Sequence, residues 1–165
     1  MTPEWDQTLV LVVEDDSNTL AGYVEFLTAA GFVAVGHTSG ADALAIARET
    51  TPDVVLTDIG MPGMDGFELA AALHSDPRTR AVPVVGMTGH WNSQMQNRAV
   101  ATGLSAMIAK PCIPSHLVAE ITRVVHGSRL MAAVLTAMDN GPLRTVAPLP
   151  PAGLRNAVLR RRSSS

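Results

Sequence analysis

Three carboxylates follow two apolar segments of this chain and are its first candidates for chemistry. Glu14 and Asp15 come directly after the apolar run at 9–13, and Asp58 closes the largely apolar run at 54–57. If these side chains converge they repel one another, so either some stay protonated with a raised pKa or a divalent cation neutralises them. An acidic site made only of oxygen atoms and open to water favours Mg²⁺, which also accepts phosphate oxygens.

A hydroxyl and a lysine stand at the ends of two further apolar segments. Thr88 ends the run at 82–88, and Lys110 follows the run at 106–109. Lys110 is the single lysine among twelve basic residues, so composition explains it poorly. A carboxylate nucleophile, a hard metal ion, an ammonium and a hydroxyl together make a site for phosphoryl transfer. The simpler alternatives are an Asp58 that serves a turn and a Lys110 at a solvated strand end.

Apolar strands that alternate with amphipathic helices are expected to position these residues. The predicted strands lie at 9–13, 32–35, 54–58, 82–88 and 106–109. The predicted helices lie at 17–30 with Ser17 as its cap, 39–49, 65–73, 91–101 and 115–125. Trp91 is expected in the core, with an aromatic that docks a partner as the alternative. Short connections between them predict an α/β fold with a doubly wound, five-stranded parallel sheet in the flavodoxin-like order 2-1-3-4-5. In this order strands one and three are neighbours, so the three carboxylates meet in one crevice.

Composition and charge are those of an ordinary globular protein. The chain has 165 residues, of which 47% are apolar and 16% charged. It has one cysteine, Cys112, no apolar run long enough to span a bilayer and no export signal at its start, so the cytoplasm is expected. Residues 1–127 hold fourteen acidic and six basic side chains, whereas 128–165 hold six arginines against Asp139 alone.

Four separated motifs resemble the receiver domain of bacterial two-component response regulators. They are the acidic pair Glu14-Asp15 after strand one, the Asp-x-x-Met-Pro-x-Met-Asp-Gly loop at 58–66, Thr88 on strand four and the Lys-Pro step at Lys110. Their spacing agrees with receivers as well: Asp15 lies 43 residues before Asp58, whereas Thr88 and Lys110 lie 30 and 52 after it. The resemblance covers about residues 8–127.

The resemblance implies that Asp58 accepts a phosphoryl group from a phosphohistidine of a sensor histidine kinase or a histidine phosphotransfer protein. Mg²⁺ would be held by Asp15, Asp58, the carbonyl of Gly60 and, through water, Glu14. Thr88 and Lys110 would engage the phosphoryl oxygens. Such a protein is not an enzyme in the ordinary sense, because it catalyses only its own phosphorylation and dephosphorylation.

Several positions modify this expectation. The strand-five position that receivers usually fill with Tyr or Phe is Met107 here, whose flexible thioether can fill the same gap but specifies fewer rotamers. Gly89 is small and leaves access to the phosphoryl group open. His90 occupies a position that in receivers influences the lifetime of the phosphoryl group, although an ordinary polar residue at a helix start is an equally good interpretation. Asp16 either supports the metal or caps the first helix, and the cap is favoured. The resemblance also implies a cis peptide bond before Pro111, as receivers have at this position.

The division of the chain is expected to be a receiver domain at 1–127, an additional C-terminal helix at 128–142 and a flexible Pro/Arg-rich tail at 143–165. The 38 residues after 127 are too few for a typical DNA-binding output domain, so a stand-alone receiver is expected. It would signal by binding a downstream protein when phosphorylated, and a homodimer is left open.

Three other functions compete with this interpretation. A non-phosphorylated pseudo-receiver would act as an interaction module, but the complete set of acids, Thr88 and Lys110 argues against it. A regulator could bind nucleic acid through its basic tail, but the Arg160–Arg162 cluster is too short to predict this. A flavin enzyme of the same shape would need an anion-binding loop after strand one, where this chain has three acids. No membrane partner is expected.

Overall fold

The computed structural model describes residues 7–140, where five strands alternate with five helices. The strands are β1 (Leu9–Val13), β2 (Val33–His37), β3 (Val54–Asp58), β4 (Val84–Thr88) and β5 (Ala106–Ala109). The helices are α1 (Ser17–Ala29), α2 (Gly40–Thr50), α3 (Gly66–Ser75), α4 (Ser93–Thr102) and α5 (Pro114–Asn140). All strand pairs are parallel and the order is β2-β1-β3-β4-β5, which confirms the predicted fold class.

The central strands are apolar because both faces of the sheet are covered by helices. On β1, Val10 and Val12 belong to the core that includes α1 and α5, whereas Leu11 and Val13 belong to the core that includes α2 and α3. Polar side chains have little room inside such strands. They collect where the strands end, and this concentrates the candidate chemistry at the carboxyl edge of the sheet.

Side-chain caps fix where the helices begin. Asp16, and not Ser17, is the N-cap of α1, since its carboxylate accepts a hydrogen bond from the Thr19 N–H at 2.8 Å. This confirms the favoured role of Asp16 and corrects the predicted cap. The Thr19 N–H group lowers the pKa of Asp16, as expected for a carboxylate that caps a helix.

The last helix is longer than predicted. The sequence indicates an end near Val125, followed by Gly127 and a separate helix at 128–142, but α5 extends from Pro114 to Asn140. One glycine costs a helix only about 1 kcal/mol relative to alanine, and the residues that follow are mostly good helix formers. Trp91 was also expected in the core, yet it precedes α4 and is 46% exposed.

The chain divides into two units, at 1–132 and at 133–165. The first holds the sheet and its cores. Of the second, the structure describes only residues 133–140, which are helical. The end of the predicted helix, at 141–142, and the predicted tail at 143–165 lie outside the described residues. Among residues 7–140, no helix combines the length and apolarity needed to cross a membrane.

Two arginines bind the carboxylate of Asp76, the residue that follows α3. Asp76 accepts hydrogen bonds from Arg78 Nη2 at 2.8 Å and from Arg48 Nε of α2 at 2.9 Å. The side-chain and backbone hydrogen bonds from Arg78 hold the pKa of Asp76 well below its usual range. Ionised Asp76 therefore stabilises the folded state relative to the unfolded state.

We expect the wild-type protein to lose its stability advantage over the Asp76→Asn variant as pH falls. A carboxylate whose pKa is lowered by folding contributes fully above its unfolded pKa of about 4, and its contribution disappears as pH falls through the folded pKa. Urea unfolding of both proteins between about pH 6 and pH 3 measures this difference. A difference that stays constant over that range would contradict the prediction.

Candidate functional site

Three carboxylates meet where β1 and β3 end. Glu14, Asp15 and Asp58 each place one oxygen atom so that all three lie within 4.8 Å of one another. Glu14 is buried, with 3% of its surface exposed, whereas Asp15 is exposed and Asp58 is half-buried. The neighbouring register of β1 and β3 produces this cluster, as the predicted topology requires.

Lys110 lies between two of these carboxylates. Its ammonium donates a hydrogen bond to Glu14 Oε2 at 3.1 Å and lies 3.2 Å from Asp58 Oδ1. Burial raises the pKa of Glu14, and the hydrogen bond from Lys110 opposes that effect. Burial lowers the pKa of Lys110, but its hydrogen bond to Glu14 and the charge of Asp58 outweigh burial and raise that pKa. The lysine is therefore held in its charged form beside Asp58.

Thr88 ends β4 near the same edge, but its hydroxyl is bonded elsewhere. Its Oγ1 donates to the carbonyl oxygen of His90 at 2.9 Å and accepts from the His90 N–H at 3.1 Å. The structure thus brings Glu14, Asp15, Asp58 and Lys110 together and holds the Thr88 hydroxyl on the β4–α4 connection. Contact with a group on Asp58 would require that hydroxyl to leave His90.

The loops around Asp58 and Thr88 leave open space. A Cβ atom added at Gly60 or Gly89 would meet no atom within 4 Å, so neither glycine fills a packed position. His90 is exposed, and its backbone, not its imidazole, contacts Thr88. The peptide between Lys110 and Pro111 is cis, as the resemblance implied.

Met107 fills a gap left by a glycine on the adjacent strand. Gly86 of β4 is the register partner of Met107, and a Cβ added at Gly86 would lie 2.5 Å from the Met107 sulfur. The thioether also packs with the small core that contains Ile59, Phe67 and Ala99. Met107 stands out in the sequence as a departure from the receiver pattern, whereas the role of Gly86 was not predicted. A glycine inside a strand signals close approach by a neighbour and could have indicated this contact.

A parallel sheet in this order, with clustered carboxylates and a lysine at its carboxyl edge, defines a receiver-like class of protein. The chain belongs to the response regulator receiver domain family, whose match covers residues 10–122. Receiver domains of this family are signalling modules of two-component systems, not classical enzymes, and they interact with histidine kinases or phosphotransfer proteins and with downstream partners. They bind Mg²⁺ at an acidic pocket, for which this chain offers the cluster at Glu14, Asp15 and Asp58.

Individual relatives support this assignment. The polar-differentiation response regulator DivK of Brucella ovis is 32% identical over 102 residues, which are 62% of this chain and 83% of that protein. The solved structure of the chemotaxis protein CheY4 of Vibrio cholerae is 27% identical, with a TM-score of 0.69 over 72% of this chain and 98% of that one. The receiver domain of a sensor histidine kinase from Pseudomonas aeruginosa PAO1 shares the fold at 21% identity and a TM-score of 0.68, covering 73% of this chain and 98% of that one. That structure has a magnesium ion coordinated in its active site cleft.

The segment after Asp58 depends on a glycine that touches its backbone. A Cβ added at Gly66 would lie 2.6 Å from the Asp58 carbonyl oxygen and 3.0 Å from the Ile59 Cα. These are backbone atoms, which cannot move aside as the end of a flexible side chain can. Gly66 therefore fixes how closely α3 can approach Asp58.

We expect Gly66→Ala to destabilise the protein by about 1–3 kcal/mol, because the added methyl group overpacks this contact. Gly22→Ala is the matched control, since a Cβ at Gly22 in α1 meets no atom within 4 Å and alanine should stabilise that helix by about 0.5–1 kcal/mol. Chemical denaturation of both variants measures the two effects. Equal stabilities for the two variants would show that α3 tolerates the extra atom.

Proposed function

We propose that this chain is a phosphoacceptor switch in which Asp58 receives a phosphoryl group from a phosphohistidine of a sensor kinase or a phosphotransfer protein. The observation that supports this most directly is the position of Lys110, whose ammonium lies between Asp58 and the buried Glu14. In the transfer, an Asp58 oxygen forms a bond to phosphorus while the phosphorus–nitrogen bond breaks and its electron pair returns to the imidazole. Lys110 stabilises the charge on the transferring oxygens.

The acidic cluster fits a magnesium ion in its donor chemistry. All three side chains offer carboxylate oxygens, and a hard cation with oxygen ligands is the one that such a set prefers. We assign Asp15, Asp58 and the carbonyl of Gly60 as ligands, with Glu14 acting through water. When bound, the ion would offset the negative charge of the carboxylates and of the incoming phosphoryl group. Glu14 keeps Lys110 directed toward Asp58 by accepting its hydrogen bond.

Signalling would begin with the hydroxyl of Thr88. A phosphoryl group on Asp58 adds charge and hydrogen-bond acceptors, so the hydroxyl would leave the His90 carbonyl and turn toward the new oxygens. Gly89 leaves room on that side, and Met107, packed over Gly86, replaces the usual aromatic residue with a flexible one. The resulting change at α4 and β5 would select a downstream protein.

We also propose residues 1–127 as the receiver domain. The family match at 10–122 lies within these bounds and supports them. Residues 128–140 continue α5 beyond these bounds. Residues 143–165 would lie outside the phosphorylated domain.

Incubation with acetyl phosphate and Mg²⁺ should add one phosphoryl group to the wild-type protein, as measured by intact mass. Asp58→Asn should abolish the addition, because an amide cannot form the acyl phosphate. Asp53→Asn is the control, since Asp53 lies just before β3, at the end of the strand opposite Asp58, where it accepts a hydrogen bond from the Leu9 N–H at 2.8 Å. An unmodified wild type, or an Asp58→Asn variant modified as well as wild type, would refute the proposal.

Removal of one proposed ligand should weaken magnesium binding. We expect Asp15→Asn to lower Mg²⁺ affinity by at least about tenfold, because a carboxylate ligand becomes neutral. Asp16→Asn should leave the affinity near that of wild type, since asparagine also caps helices well and Asp16 caps α1. Calorimetric titration with Mg²⁺ compares them. If the two substitutions weakened binding equally, Asp15 would have no special role.

A further inference from the structure

Helix α4 is held to the domain by few buried side chains. Ala99 is its only buried residue among those described. Its neighbour Arg98 is 48% exposed but makes two specific contacts with the segment that follows Asp58. The guanidinium carbon lies 4.4 Å from the centroid of the buried Phe67 ring, and Nη2 donates to Asp65 Oδ2 at 3.0 Å. We call Arg98, Asp65 and Phe67 the Arg98 clamp.

The two residues that Arg98 contacts flank the glycine that touches Asp58. Asp65 uses Oδ1 to accept the Glu68 N–H at 2.8 Å, which caps α3, and leaves Oδ2 for Arg98. Gly66, between Asp65 and Phe67, packs on the Asp58 carbonyl. The clamp therefore fastens α4 to the short stretch of backbone that carries the proposed phosphoacceptor into α3.

The same helix also contacts Thr88. Met95 lies one turn before Arg98, and its sulfur lies 3.9 Å from Thr88 Oγ1, the atom that is bonded to His90. Residues three apart share one face of a helix. One face of α4 thus contacts both the loop after Asp58 and the hydroxyl that would have to move.

We propose that Arg98 is a positioning residue that pins α4 against the loop after Asp58 and so holds the Thr88 hydroxyl on His90. The regulatory meaning of this clamp rests on the proposed function at Asp58. Loss of the clamp would free α4, let Thr88 leave His90 more often and favour the arrangement suited to a phosphorylated Asp58. A partly exposed cation–π contact and one exposed ion pair together correspond to about a fivefold shift in such an equilibrium.

The test compares Arg98→Ala and Arg98→Lys with Arg123→Ala. Arg123 is a matched control because it is also exposed, at 60%, and forms an ion pair with Glu120 at 2.8 Å on α5. Three measurements are made on each protein: hydrogen exchange of the amides at 93–102, the methyl resonance of Thr88, and the rate of phosphate addition from acetyl phosphate with Mg²⁺.

Arg98→Ala should speed exchange in α4 and raise the rate of phosphate addition, each by about fivefold, and should shift the Thr88 resonance. Arg98→Lys should change each measurement in the same direction but by less, because lysine keeps the charge and loses only the planar contact with Phe67. Arg123→Ala should change none of them.

Unchanged hydrogen exchange of the amides at 93–102 in Arg98→Ala would refute the proposal that Arg98 pins α4. Faster exchange with an unmoved Thr88 resonance would overturn its coupling to the hydroxyl, and so would an unchanged rate in a protein that does take up phosphate. Exchange and the methyl resonance need no phosphoryl group. They decide the proposal even if wild-type Asp58 proves inert, so failure of the clamp and failure of the proposed function remain distinguishable.

Discussion

The ammonium of Lys110 between two carboxylates is the interaction on which the candidate site depends. Glu14 is buried, and a buried carboxylate beside two others would be strongly disfavoured without a positive charge nearby. Lys110 supplies that charge from β5, at a distance of 96 residues along the chain from Glu14. The site therefore exists only when β1, β3 and β5 are assembled in one sheet.

This constraint explains why polar and apolar residues are segregated so sharply. Interior positions of β1 and β3 are buried and, apart from Thr57, apolar, whereas Glu14, Asp15 and Asp58 at their carboxyl ends carry charge. The helices contribute differently. α1 and α5 cover one face with large apolar side chains, whereas α4 contributes one buried alanine and relies on polar contacts of Arg98. The least buried of the described helices is thus the one whose Met95 contacts the Thr88 hydroxyl.

Much of this arrangement could be predicted from the sequence, because each strand is marked by an apolar run and each helix by an amphipathic pattern. The apolar runs locate the strands, right-handed crossovers fix their order, and the order places Asp58 beside Glu14 and Asp15. The predicted end of α5 near Val125 was wrong because glycine stops a helix only weakly when good helix formers follow it, as they do after Gly127.

The finer contacts could not be predicted, since they join residues whose types carry no shared pattern. A glycine inside β4 signals that some neighbour approaches closely, but the sequence does not identify Met107 as that neighbour, and nothing in it pairs Arg98 with Asp65. These contacts depend on the register of β4 with β5 and on the rotation of α4. The direction of the Thr88 hydroxyl is also a tertiary property. Its position at the end of β4 follows from the sequence, but its choice of the His90 backbone does not.

The concentration of charge at one rim has a consequence for divergence within the family. Strand interiors need only apolar side chains of suitable volume, so substitutions there are interchangeable as long as packing is kept. The roles proposed for Asp15, Asp58 and Lys110 each require a particular atom, so we expect less freedom at those rim positions. The solved structure of CheY4 of Vibrio cholerae, at 27% identity and a TM-score of 0.69, thus differs from this chain at most matched positions while the fold is shared.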